Sequence, residues 1–349
     1  MLEKKIIYIR ADGNDMIGTG HIMRCISVAE EIINQNVQVI FLVADKKSEE
    51  LVRTKGFEVI CLNSVWNELE TEIDKLMQLI MECKIQVLLV DTYFVTKHYL
   101  ERISTLTKVF YIDDLNLFLY PVYSIINYSI YADEFDYEKR YHQNGMDTRF
   151  YLGCEYTPLR SQFSHISYDV RKEVKNILIT TGGADPFNIA GGLLAKLLKD
   201  YYFQDIILHM VSGIYNIHKD DLQKLAAGRK NVVMHENETN MAKLMLDCDI
   251  AITAGGTTLY ELCACGIPTV AVSVADNQLD NVRRFEQEGL LKLAGDIRTD
   301  RSAVIDSIIE VVKEFTESSE ERQVYSARMK QKNISGGSKR VAELLMNTK

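Results

Sequence analysis

The stretch that decides the fold is Lys5-Ile6-Ile7-Tyr8-Ile9-Arg10, which runs into Asp12-Gly13-Asn14-Asp15-Met16-Ile17-Gly18-Thr19-Gly20. An apolar, β-branched run of this length reads as a strand, and the glycine-rich segment behind it as a tight loop. Residues 21–35 then carry Ile22, Ile26, Ala29 and Ile33 at helical spacing, so an amphipathic helix follows. Strand, glycine-rich loop and helix open a parallel α/β sheet, whose ligands bind at the C-terminal ends of the strands.

The alternation continues on either side. Strands are predicted over 37–43, 58–62, 87–90 and 109–112, with helices over 46–55 and 66–83. Near-continuous apolar strands indicate a sheet covered by helices on both faces. Asp91 closes one strand, and Asp113-Asp114 another. The rhythm restarts at 174–180, followed by Thr181-Gly182-Gly183-Ala184-Asp185-Pro186 and a helix near Phe187. Further strands are predicted over 205–210, 231–234, 250–253 and 269–273, with a second glycine-rich turn at Ala254-Gly255-Gly256-Thr257-Thr258. Residues 156–171 lack periodicity and mark the boundary. The expectation is an α/β protein with two Rossmann-like domains, 1–156 and 172–349, facing a cleft. The last helices are free to pack back on the first domain.

The 349 residues suit two domains of roughly 150 residues each. Hydrophobic residues at 47% and charged residues at 26% exclude a disordered or collagen-like chain. Lys+Arg 40 against Asp+Glu 49 leaves a net charge of -9 and no basic stripe, so nucleic acid is not an expected partner. A phosphorylated small molecule is compatible with that charge, because helix N-termini bind anions locally. No run approaches the ~18 apolar residues of a membrane span. The opening turns polar at Arg10 without an apolar leader region, so a cytoplasmic location is expected. The seven cysteines, without a CxxC pair, read as free thiols. The seven histidines are scattered, so neither a metal site nor a cofactor is expected. The sequence leaves the oligomeric state open, a monomer included.

Within the first loop, Gly18 and Gly20 allow close approach of a ligand, and His21 opens the helix. The positive end of the helix dipole opposes an imidazolium there, and an uncharged imidazole is what a general base must be. The alternative is a histidine that merely caps the turn. Arg10, Asp12 and Arg24 flank this loop, either shaping a polar pocket for an anionic or sugar ligand or pairing with one another to steady it. Asp91, Asp113 and Asp114 end strands at the same edge, where an acid binds sugar hydroxyls or caps a helix. Gly255, Gly256, Thr257 and Thr258 offer backbone N–H groups and hydroxyls to a pyrophosphate, and Glu261, one turn on, reaches a ribose. Gly182 and Gly183 form a weaker anion site of the same kind. Asn277 follows the next strand and suits a sugar or base. Asp247-Cys248-Asp249 has the spacing of a metal-binding DxD, but it precedes its strand and so lies at the wrong end of the sheet.

With these residues in view, the chain resembles the UDP-sugar hydrolase family of the pseudaminic acid pathway and its relatives in spore-coat polysaccharide synthesis. The resemblance rests on Arg10-Ala11-Asp12-Gly13-Asn14 through Gly18-Thr19-Gly20-His21 with Met23-Arg24-Cys25. Asp91-Thr92-Tyr93, Ile112-Asp113-Asp114-Leu115, Tyr156 with Leu159-Arg160, and Gly255-Gly256-Thr257-Thr258 with Glu261 extend it over most of the chain. More distantly, the second half is similar to the lipid II N-acetylglucosaminyltransferase. Ser335 before Gly336-Gly337 and Thr92 depart from the family pattern, and both bear on the sugar rather than on the reaction class.

The resemblance implies a GT-B-like architecture and metal-independent removal of UDP from UDP-2,4-diacetamido-2,4,6-trideoxy-β-L-altropyranose. It implies His21 as the catalytic base and Glu261 and Asn277 as substrate ligands. Two alternatives stand beside it. One is a UDP-sugar glycosyltransferase of the same architecture, which needs an acceptor surface; the N-terminal half reads as having no basic or apolar patch for a lipid acceptor. The other is a non-catalytic sugar-nucleotide-binding protein.

Overall fold

The computed structural model describes residues 5–348 except Asp15, His165, Ile214 and Asn237. Residues 1–4, part of the stretch read for an export signal, lie outside it. By internal contacts the chain divides into two units, one of Met1–Ser164 with Gly336–Lys349, the other of His165–Ser335.

The first unit holds β1 (Ile6–Ala11), β2 (Gln38–Val43), β3 (Glu58–Cys61), β4 (Val87–Asp91), β5 (Lys108–Ile112), β6 (Ser124–Asn127) and β7 (Arg149–Leu152). They form one parallel sheet in the order β3-β2-β1-β4-β5-β6-β7. Helices α1 (Gly20–Ile33), α2 (Lys46–Thr54), α3 (Ile73–Glu82), α4 (Lys97–Ser104) and α5 (Tyr137–Gln143) connect them. The strand order reverses between β1 and β4, and such a switch point opens a crevice at the C-terminal strand ends. Local chemistry sets the helix starts: Asp45 accepts from Ser48 N at α2, and Thr96 accepts from Tyr99 N at α4. Helix α1 buries Ile22, Cys25, Ile26, Ala29 and Ile32 against the sheet.

The second unit repeats the plan with β8 (Asn176–Thr180), β9 (Ile207–Ser212), β10 (Val232–Glu236), β11 (Ile250–Ala254), β12 (Thr269–Ser273) and β13 (Lys292–Asp296). Its parallel sheet runs β10-β9-β8-β11-β12-β13, with the switch point between β8 and β11. The helices are α6 (Ile189–Leu197), α7 (Lys219–Ala226), α8 (Met241–Asp247), α9 (Thr258–Cys265), α10 (Asp276–Gln287), α11 (Arg301–Glu317) and α12 (Ser319–Gln331).

The chain then returns to the first unit as α13 (Gly337–Asn347). Val341, Ala342 and Leu345 join the core cluster that contains Ile22, Ile26 and Ala29 of α1. Gly337 makes this docking feasible, because a Cβ there would lie 2.0 Å from the carbonyl oxygen of Thr157. Ser338 Oγ donates to Leu159 O, and Arg340 donates to Glu155 O, which fixes the helix over the first unit. No helix among the described residues is long and apolar enough to cross a membrane.

Candidate active site

At the switch point of the first unit, Asp91 ends β4 directly beside Ala11 of β1. The first turn of α1 lies above them and brings His21 and Arg24 onto the same carboxylate. His21 Nδ1 stands 2.8 Å from Asp91 Oδ1. Arg24 grips the carboxylate in a fork, Nε to Oδ2 at 2.6 Å and Nη2 to Oδ1 at 2.5 Å, and Cys25 Sγ donates to Oδ2 at 3.4 Å. Asp91 is fully buried. Burial opposes its charge, but the Arg24 guanidinium and then His21 outweigh it, and the carboxyl sits far below the usual carboxylate range.

An ionised, acceptor-only carboxylate fixes the histidine tautomer. Arg24 Nη2 also lies 3.1 Å from Nδ1, but the 2.8 Å contact to the acceptor-only carboxylate is the shorter, and it is a hydrogen bond when Nδ1 carries the proton; in the uncharged form of the ring that leaves the lone pair on Nε2. Nε2 has no partner among the described residues, and 9% of the side chain stays exposed. Tyr93 holds the ring edge to face, with centroids 4.5 Å apart at 80°. Tyr93 Oη donates to Asp114 Oδ2, which also receives Arg24 Nη1 at 3.3 Å. Arg24 Nη1 donates in addition to Tyr128 Oη. Burial pushes the Tyr128 hydroxyl up to about 12, and burial and Asp114 raise that of Tyr93, so both stay protonated at neutral pH. The other Asp114 oxygen, Oδ1, is buried without a partner among the described residues. A carboxylate oxygen left in that state beside an open histidine edge suits a ligand hydroxyl or amide.

Several residues expected at the ligand have other duties. Arg10 is 0% exposed, and every guanidinium nitrogen is taken: Nε and Nη2 by Glu72 at 2.7 and 2.9 Å, Nη1 by Asp12 at 2.5 Å. Glu72 also accepts from Tyr99 and Ser64, and Asp12 from the Ala44 amide. This buried cluster anchors the base of the loop, so the ion-pair reading of Arg10 and Asp12 replaces the ligand reading. Asp91 and Arg24 likewise face His21 and each other, and their part is to position the ring. Asp113 accepts from the Leu115 and Asn116 amides and from Tyr137, which shapes a turn. Gly18, with φ +72°, and Gly20 have no atom within 4 Å of a built Cβ, so the loop beside His21 is open.

In the second unit the loop after β11 runs Gly255-Gly256-Thr257 into α9. Thr257 gives the helix no side-chain cap, and Gly256, Thr257 and Thr258 remain partly exposed. A Cβ on Gly255 would stand 2.4 Å from Val282 Cγ1 of α10, whereas Gly256 is open. Gly255 therefore has a packing reason, which the sequence did not reveal, and Gly256 is the position with room for a ligand. Asn281 Nδ2 bonds Gly255 O, and Tyr260 Oη bonds Asn281, which fixes the loop from below. Glu261 lies in the first turn of α9, half-buried, and Asn277 is exposed in the first turn of α10. The Gly182-Gly183 turn differs from expectation. Helix α6 starts only at Ile189, and Asp185 already occupies its N-terminus by accepting from the Ile189 and Ala190 amides, so the helix end does not lie at Gly182-Gly183 as the start of α9 does at Gly256-Thr257. Asp249 of the DxD run accepts from Lys175 N, Asn176 N and Arg171, a structural tie.

Sequence reasoning passed over Glu72, Tyr93 and Tyr128 as site components, whereas Asp114 was read with Asp91 and Asp113 as an acid able to bind sugar hydroxyls. Tyr93 stands two residues past Asp91, an acid that had been singled out. Tyr128 follows β6, a four-residue strand without a usable pattern, and Glu72 sits in a 3-10 turn 62 residues from Arg10. Large apolar side chains are also exposed at this edge: Met16 after β1, and Leu115 and Leu117 after β5. The N-terminal half thus does present apolar surface that the sequence did not indicate.

Comparison with known proteins agrees with this architecture. The model of the glycosyltransferase family 28 C-terminal domain matches residues 176–344. An uncharacterised protein of Methanocaldococcus jannaschii is 29% identical over 279 residues, 76% of this chain and 55% of that protein. The spore coat polysaccharide biosynthesis protein SpsG of Bacillus subtilis is 27% identical over 285 residues, 80% of this chain and 81% of that protein. The pseudaminic acid cytidylyltransferase and UDP-2,4-diacetamido-2,4,6-trideoxy-β-L-altropyranose hydrolase of Helicobacter pylori is 28% identical over 154 residues, 44% of this chain and 27% of that protein. The match thus spans about half of the archaeal relative and about a quarter of the Helicobacter protein. Among solved structures, Acinetobacter baumannii MurG superposes with a TM-score of 0.70 at 14% identity, covering 98% of this chain and 99% of that one. The calicheamicin glycosyltransferase CalG4 follows at 0.62 and 14%, covering 99% and 98%. The chain is similar to the spore coat polysaccharide protein and, over less than half of its length, to the Helicobacter protein, and it is built from two parallel-sheet α/β domains of the GT-B glycosyltransferase fold.

Proposed function

We propose that this protein hydrolyses a UDP-linked amino-deoxy sugar, of the UDP-2,4-diacetamido-2,4,6-trideoxy-β-L-altropyranose type, to free sugar and UDP. One observation carries the reading: Asp91, ionised and held by Arg24, accepts a hydrogen bond from Nδ1–H of His21 and leaves Nε2 as a base at an open glycine loop. The water oxygen attacks the anomeric carbon while its proton passes to Nε2. The bond from that carbon to the diphosphate oxygen breaks, and its electron pair leaves with UDP. A single displacement inverts the anomeric configuration. General-base assistance of this kind contributes about 10²–10⁴-fold. In the second unit the N-terminus of α9, with Gly256, Thr257 and Thr258, suits the diphosphate, and Glu261 and Asn277 suit the nucleoside or sugar. Asp114 Oδ1, without a donor among the described residues, is an acceptor for the sugar on the base side.

The test is turnover in oxygen-18 water without an acceptor. Label should enter the sugar, and label in UDP sinks the proposal. His21→Asn should abolish turnover and leave UDP affinity nearly intact.

The exposed Met16, Leu115 and Leu117 favour a second reading, a glycosyltransferase with an apolar acceptor. It predicts negligible turnover in water alone and transfer once an acceptor is added. Binding without turnover in either assay would point to a sugar-nucleotide-binding protein.

A further inference from the structure

The second unit carries a run of linked polar side chains that the candidate site does not use. It crosses one face of the sheet from β8 to the edge strand β10. His209 Nε2 stands 3.0 Å from Asn176 Oδ1, and His209 Nδ1 stands 3.0 Å from His235 Nε2. Asn176 opens β8, His209 lies in β9 and His235 in β10. Beyond the strand, Glu238 Oε2 lies 3.7 Å from His235 Nδ1, and Glu238 Oε1 accepts from Asn240 N at 2.8 Å. Asn240 in turn caps α8 by accepting from Lys243 N. Strand β10 has one neighbour, β9, and none of its residues is fully buried, so side-chain ties weigh more here than in the core strands.

The two rings meet end to end. Their centres are 5.2 Å apart with planes at 27°, and the 3.0 Å contact accounts for that separation once the ring radii are added. This is the geometry of a single N–H···N bond, with room for one hydrogen between the nitrogens. The amide oxygen of Asn176 accepts, so His209 carries its proton on Nε2 and offers the lone pair of Nδ1 to the Nε2–H of His235. His235 can take an added proton on Nδ1, toward Glu238, and keep these bonds. His209 cannot: a proton on its Nδ1 would face the Nε2–H of His235, and one ring would have to turn away.

The surrounding charges do not remove this restriction. Burial first, and then His235, hold the pKa of His209 below its ordinary value of 6.5, against the pull of Asp247 at the end of α8. Asp249, beside Asn176, accepts from Arg171 and from the Lys175 and Asn176 amides. Glu236 points to the other face of β10, where Lys219 of α7 pairs with it at 2.6 Å.

We propose that this run of side chains is an acid-sensitive latch: while His209 is uncharged it fastens the end of β10, and with it the start of α8, to β9, and protonation of His209 lets this edge open. The latch is independent of the reaction proposed above. The opened edge takes up the proton at the ordinary value, so the hold is complete above pH 6.5 and is lost as pH falls below it.

Two measurements on the whole protein test the latch. NMR titration should show His209 gaining its proton below pH 6.5, and His235→Ala should move that midpoint up toward 6.5. Amide hydrogen exchange should show the protection of β10, relative to β12, falling about threefold or more between about pH 7.5 and 5. His209→Gln has no proton to gain, so its β10 protection relative to β12 should stay level over the same range. A histidine that only packs would instead leave wild type level with pH and lower the protection of the variant at both ends alike. His209 titrating at or above 6.5, a midpoint unmoved by His235→Ala, level β10 protection in wild type, or a His209→Gln response equal to that of wild type each overturns the proposal. If His209→Gln fails to fold, the wild-type titration and exchange still decide.

Discussion

Nδ1 of His21 and Oδ1 of Asp91 are 2.8 Å apart although 70 residues separate them, and β1, β4 and α1 converge to make the contact. The carboxylate is buried and ionised, so its effect on the ring is directional: it sets which nitrogen holds the proton. We predict that Asp91→Asn lowers kcat about tenfold or more with little change in KM, because an amide accepts or donates and no longer dictates the tautomer. Steady-state kinetics check this, with circular dichroism to confirm folding. A well-folded variant with wild-type kcat would remove Asp91 from the mechanism.

The same carboxylate predicts the acid limb of stability. Its pKa in the folded protein lies below the ordinary aspartate value of about 3.9, so on acidification the unfolded chain takes up the proton first. The stabilisation is complete above that ordinary value and is lost as pH falls through it toward the folded value. Urea unfolding of wild type and Asp91→Asn should show a free-energy gap that is flat between about pH 7 and 5 and shrinks below. Burial raises the pKa of Asp12 and Asp113, which pulls the other way, but both proteins carry those groups and the difference removes them. A gap that widens in acid contradicts the assignment.

Much of this was legible in local sequence. The β1 run, the Gly18-Thr19-Gly20 loop and the apolar face of α1 are all encoded within 30 residues, where periodicity and glycine chemistry act directly. The partners of that segment are not local. Arg10 beside a glycine loop looks like an anion ligand until Glu72 is seen closing over it, and Glu72 lies in a 3-10 turn with no pattern of its own. Gly255 looks like a ligand glycine until Val282 is seen behind it. The short β6 and β7 carry too few residues for an alternation to register. The return of α13 to the first unit depends on the fit of Gly337 against Thr157, a relation between positions 180 apart that no window of sequence contains.

For the Arg10 cluster we predict a loss of stability without a specific loss of binding. Arg10→Met leaves Glu72 and Asp12 buried without their cation and should destabilise the protein by about 3–5 kcal/mol, the usual cost of breaking a buried pair from one side. Burial opposes the charge of Arg10, but Asp12 and Glu72 more than offset it, so the guanidinium stays charged in the folded state. Below its own melting transition the variant should keep a near-normal KM. A tenfold rise in KM in a protein of normal stability would return Arg10 to the ligand.

The two adjacent glycines of the second unit should separate structure from binding. At Gly255 an added Cβ meets Val282 Cγ1 at 2.4 Å, and the neighbour is the branched end of a core side chain on α10 that has little room to move. Gly255→Ala should therefore cost about 1–3 kcal/mol, the range for overpacking a tight core. Pairing it with Val282→Ala should return part of that loss, seen as a coupling of about 0.5–3 kcal/mol in a double-mutant cycle. At Gly256 nothing lies within 4 Å of the added methyl, so Gly256→Ala should melt like wild type. Its effect should appear in UDP affinity instead, because the methyl occupies the space through which a diphosphate reaches the N–H groups at the start of α9. Calorimetry with UDP decides the point: unchanged affinity in Gly256→Ala would mean that the nucleotide does not approach this turn, and the proposed role of Thr257 and Thr258 would go with it.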